Sequence, residues 1–135
     1  MRLPRGYKIE THQTTDERGL CDTKWRATGP GGENLRVDGM QPGDAETCIA
    51  ACWDHAIIRW ASLAGDLGLR AEQAKGASQC RMRLGKATID LYENGNCSFG
   101  GPEDDRRDLA NKLREAGLLR GHDRAAHGGG WDLPA

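Results

Sequence analysis

Cys48, Cys52 and His55 are the residues whose types and spacing come closest to a chemical site. On an α-helix, positions i, i+4 and i+7 fall within one narrow arc, and two thiols with an imidazole are zinc ligands. Cys21, Cys97 or His12 would supply a fourth. Structural zinc sites usually draw paired ligands from a Cys-x2-Cys turn, which is missing, and a Cys bordering an apolar stripe packs as a small hydrophobe. Packing is thus the favoured reading, with a zinc-stabilised domain as the alternative. A Cys nucleophile needs an adjacent base and a lowered pKa, and no local signature marks one. His127-Gly128-Gly129-Gly130 has the letters of an esterase oxyanion loop, without the strand before it or the G-x-S-x-G elbow after it. Gly29-Pro30-Gly31-Gly32 lacks the Gly-Lys-Ser/Thr of a phosphate loop and reads as a turn. Glu103-Asp104-Asp105 suits the positive end of a helix rather than catalysis. A small enzyme of unknown class is the least favoured reading, and no residue is given a catalytic role.

Trp131 stands in a Gly-rich C-terminal stretch, followed by Asp132-Leu133-Pro134. It is either an aromatic anchor for a partner or a side chain folded back onto its own domain, and aromatic anchors dominate many interfaces. Arg59, Arg106 and Arg107 join it as candidate binding residues, because they occupy polar helix faces.

The elements that position these residues read as two similar passages, each a β-hairpin followed by a helix. In the first, Tyr7–Thr11 alternates as a strand, 13–19 is a polar loop, and Cys21–Thr28 is a strand. The Gly29–Gly32 turn then returns Asn34–Asp38, with Leu35 and Val37 on one face. Asp44 and Glu46 open a helix whose Ile49, Trp53, Ala56, Trp60, Leu63 and Leu67 recur at spacings of three and four, flanked by Cys52 and Ile57. Gly65 and Gly68 end it. Residues 68–79 form a connection with room for a helical turn. In the second passage, apolar alternation slips between Leu84 and Ala87, which predicts a bulge or kink at Gly85-Lys86. A three-residue loop with a left-handed Gly95 sets Leu91 against Cys97 and Ile89 against Phe99, keeping the apolar face intact. Pro102 and the acids after it start a second helix with Leu109, Leu113 and Ala116 inward, and Gly117 ends it. The fold expected is α+β, with antiparallel β-hairpins packed against two amphipathic helices in a ββα-ββα pseudo-repeat. Residues 1–120 form a single domain and 121–135 a flexible Gly-rich tail.

Composition limits the partners. Nineteen Lys and Arg against 20 Asp and Glu leave a net charge of −1, with no broad basic face for a nucleic-acid backbone. No apolar run approaches the roughly 20 residues that span a bilayer, and the N-terminus lacks the apolar region of a secretory signal. Five Cys form no secreted disulfide framework, so a cytoplasmic location with reduced thiols is expected. Only 20 of 135 residues are Leu, Ile, Val or Phe, a thin core that favours added contacts such as a homodimer.

The stretch from Trp25 through the Gly29–Gly32 turn, the Leu35/Val37 strand and the helix from Asp44 to Leu63 resembles the hairpin-then-helix modules of small accessory proteins of bacteriophages and mobile elements, including the phage ABA-sandwich type. The resemblance covers about half the chain, rests on pattern rather than an invariant motif, and carries over no catalytic residue. It implies a non-catalytic protein in a bacterial host's cytoplasm that binds a host complex, such as an inhibitor of host defence of the anti-CRISPR kind.

Overall fold

The structure is a computed structural model that describes residues 3–38, 44–93, 95–120 and 129–134. Among the described residues, two helices and nine strands, all paired antiparallel, make an α+β fold. The chain forms two compact units, residues 1–55 and 56–135, where the sequence predicts a single domain over 1–120. No helix among the described residues is long and apolar enough to cross a membrane.

The first unit is a three-stranded meander, β1 (Lys8–Thr15), β2 (Cys21–Thr28) and β3 (Asn34–Asp38), with β2 in the centre. β1 is longer than its alternating pattern predicts, because Thr14 and Thr15 continue the ladder opposite Asp22 and Cys21. The link to β2 shrinks to residues 16–20. There the Asp16 carboxylate accepts the backbone N–H groups of Arg18 and Leu20, each at 2.9 Å, a local bond that short polar side chains use to fix turns. The Gly29–Gly32 turn stands where the sequence puts it, closed by the Gly29 N–H donating to the Glu33 carbonyl at 2.9 Å.

Helix α1 (Asp44–Asp66) runs through the boundary between the units. Its most buried residues are Cys48, Cys52, Ala56, Trp60 and Ala64, all at 0 % exposure and all four apart. That is an i±4 ridge, the packing row commonest in globular helices. The expected stripe gives the large apolar side chains most weight. Trp53, Ala56 and Trp60 are buried, but Ile49, Leu63 and Leu67 are only half-buried. Four of the five ridge residues are small, which lets neighbouring backbone come close and leaves little trace in a hydropathy pattern.

The second unit is a six-stranded sheet in the order β4-β5-β6-β7-β9-β8. Its strands are β4 (Arg70–Glu72), β5 (Cys80–Leu84), β6 (Ala87–Leu91), β7 (Asn96–Gly100), β8 (Leu119–Arg120) and β9 (Gly129–Trp131), with helix α2 (Glu103–Glu115) between β7 and β8. Two expectations are corrected. The slip at Gly85-Lys86 is a two-residue hairpin turn, since Leu84 pairs with Ala87 and Met82 with Ile89. A reversal of direction flips the phase just as a bulge does, so periodicity alone does not separate them. Residues 70–72 form an edge strand rather than a helical turn. The β6–β7 register is the one the sequence predicts: Leu91 opposes Cys97, Ile89 opposes Phe99, and Gly95 has φ +88°.

All five residues of β6 are buried, Thr88 and Asp90 included. Asp90 is neutralised by a two-pronged bond from Arg81 on β5, at 2.9 and 2.8 Å, the fork geometry that fits guanidinium to carboxylate. Both helices end in the same device. The Leu69 N–H reaches back to the Ala64 carbonyl at 3.1 Å, and the Leu118 N–H to that of Leu113 at 2.9 Å, after left-handed Gly68 and Gly117. This is a Schellman motif, completed by a buried Leu just past each glycine.

The expected flexible tail over 121–135 is corrected for residues 129–134. β9 inserts between β7 and β8, and Trp131 is 1 % exposed. Its indole N–H donates to the Tyr92 carbonyl at 2.9 Å, and its backbone N–H to that of Gly95 at 3.0 Å. Arg120 donates to the carbonyls of Gly95 at 3.1 Å and Trp131 at 3.3 Å. Trp131→Ala should therefore cost about 3–5 kcal/mol in urea unfolding. Leu20→Ala, at a side chain 63 % exposed, should stay within about 0.5 kcal/mol of the parent.

Candidate functional site

The first unit brings together charges that the sequence analysis did not single out. The register sets Lys8 opposite Thr28 and Glu10 opposite Arg26, so these four side chains share one face of the β1–β2 ladder. With the Gly29–Gly32 turn they line a cavity of about 370 Å³. Glu10 and Arg26 are directly opposed, a position from which such pairs normally bond. The Arg26 Nε instead donates to the Asn34 side-chain oxygen at 3.2 Å. Lys8, Glu10 and Arg26 thus line the cavity without an ion pair among the described residues. The signal for this cluster was the Lys8-x-Glu10 spacing, which has meaning only once the β1–β2 register is known.

Beside the cavity runs the outer edge of β1. Among the described residues the sheets have four edge strands, of eight residues in β1, five in β3, three in β4 and two in β8. Very short edges protect themselves, whereas a long one offers a row of backbone donors and acceptors to another chain. Lys8 and Glu10 are both exposed on it.

The thiol cluster has a different character. Cys48 and Cys52 are fully buried on the α1 ridge. The His55 Nδ1 is bonded to the Tyr7 hydroxyl at 2.6 Å, with the rings edge-to-face at 67°. No group of three or more His, Cys, Asp or Glu side chains among the described residues is arranged to hold a metal ion. Burial and the neighbouring Cys48 push the Cys52 thiol up to about 11, and burial pushes Cys97 up to about 12. Both stay protonated at neutral pH, which suits packing rather than nucleophilic attack.

The other candidates occupy the second unit. Trp131 is part of the sheet, so it is not a tail anchor. Arg59 is half-buried on α1. Arg106 is half-buried on α2, and its Nε has no hydrogen-bond partner among the described residues. Arg107 is exposed and pairs with Glu103 one turn away at 3.0 Å, a helix-surface bond worth about 0.2–0.5 kcal/mol. No family model, curated protein or solved structure matches the chain.

The buried thiols set a pH dependence. Their folded pKa values lie above the ordinary 9.0, so folding favours the protonated form. That stability is fully present below about pH 9 and is lost as pH rises toward 11 and 12, because the unfolded chain gives up its thiol protons first. Chemical unfolding at pH 8 and pH 10.5 should show the fall, and Cys97→Ala should reduce it. At pH 8, iodoacetamide should label exposed Cys21 well before Cys48, Cys52 and Cys97, as read by peptide mass spectrometry.

Proposed function

We propose that this chain is a non-catalytic protein-binding protein that takes an extended segment of its partner as an added strand on β1. The observation that carries the reading is the eight-residue edge of β1, whose outer side has no strand partner among the described residues. Strand addition draws affinity from main-chain hydrogen bonds and selectivity from the side chains that alternate along the edge. The buried, protonated thiols support binding over nucleophilic catalysis by these cysteines. On the resemblance to phage accessory modules alone, the proposal extends to a subunit of a host defence complex as the partner.

A displayed library of random ten-residue peptides tests the reading. Enriched peptides should slow hydrogen exchange at alternate amides of residues 8–15, because only the groups on the outer edge gain partners. Failure to enrich any peptide, or protection confined to other strands, would overturn it.

A further inference from the structure

Resting on that strand-addition reading, we infer the chemistry of the partner: an antiparallel protein segment carrying a basic residue followed two positions later by an acidic one. Lys8 and Glu10 are two apart on β1, so both project from the same face as Arg26 and Thr28 of β2. A strand laid antiparallel along β1 places one residue directly opposite Glu10 and, two positions further toward its own C-terminus, another opposite Lys8. Opposite charges at such positions attract and like charges repel. The order basic-x-acidic satisfies both, and the reverse order violates both.

The cavity, lined by Lys8, Glu10, Arg26, Thr28 and the Gly29–Gly32 turn, opens on the same face. Arg26 lies opposite Glu10 and holds its Nε on Asn34 of β3, so on the β1 edge itself Lys8 is the cation and Glu10 the acid. Glu10 repels an acid that slips out of register. The antiparallel direction follows that of every strand pair among the described residues.

A pair of capped peptides reads this directly. One is Thr-Val-Lys-Val-Glu-Val-Thr, and the other has its Lys and Glu exchanged. Binding to the full chain is followed by calorimetry, with hydrogen exchange reporting protection of residues 8–15. The Lys-x-Glu peptide should bind about tenfold more tightly, since two opposed pairs change sign together. The double variant Lys8→Glu/Glu10→Lys should reverse the preference, which a merely misfolded variant cannot do. Equal affinities with protected β1 amides would overturn this inference and leave edge binding standing, and so would a preference for Glu-x-Lys. Absence of β1 protection by either peptide would overturn the strand-addition reading beneath it.

Discussion

Trp131 closes the six-stranded sheet, and much of the second unit depends on where that indole lies. β9 lies between β7 and β8 in the sheet, and it is three residues long with two glycines among them. Such a strand has almost no side-chain surface of its own to bury. The indole supplies it, fully enclosed and hydrogen-bonded to Tyr92, while the Gly95 carbonyl receives both the Trp131 N–H and the Arg120 guanidinium. Arg120 lies over Gly130, where a Cβ would collide with its guanidinium. The glycine is thus the space the arginine needs.

A core short of branched aliphatic residues is stabilised by the same means elsewhere. Trp60, at 0 % exposure, donates its indole N–H to the Leu118 carbonyl at 2.9 Å. Large aromatic side chains bury the most area per residue, and a satisfied N–H removes the cost of hiding a polar atom. The small residues of the α1 ridge complement them, since close approach supplies dispersion contacts that bulk alone would not. Cys48 and Cys52 belong to that ridge, and their spacing of four is the spacing of the packing row. The spacing that reads as a ligand pair in the sequence is also the spacing of this buried row.

The two units divide the labour differently. The second pairs its buried Asp90 with half-buried Arg81 and protects its edges by making them three and two residues long. The first leaves a long edge and a charged cavity exposed. An edge that is both long and charged discourages indiscriminate pairing while still accepting a complementary strand.

The sequence by itself determined those features that depend on near neighbours along the chain. Asn34–Asp38, the Gly29–Gly32 turn, the β6–β7 register through Gly95, and the starts and glycine ends of both helices were all legible, because turn geometry and helix capping are local. Tertiary structure alone decided the rest. Gly85-Lys86 became a turn rather than a bulge because β6 had β5 to pair with. Residues 70–72 became a strand by pairing with β5, and Trp131 left the tail because its strand pairs with both β7 and β8. The Lys8, Glu10 and Arg26 cluster was invisible for the same reason. Its members are separated in the chain and meet only through cross-strand register, which is fixed by burial and long-range pairing rather than by any residue's own preference.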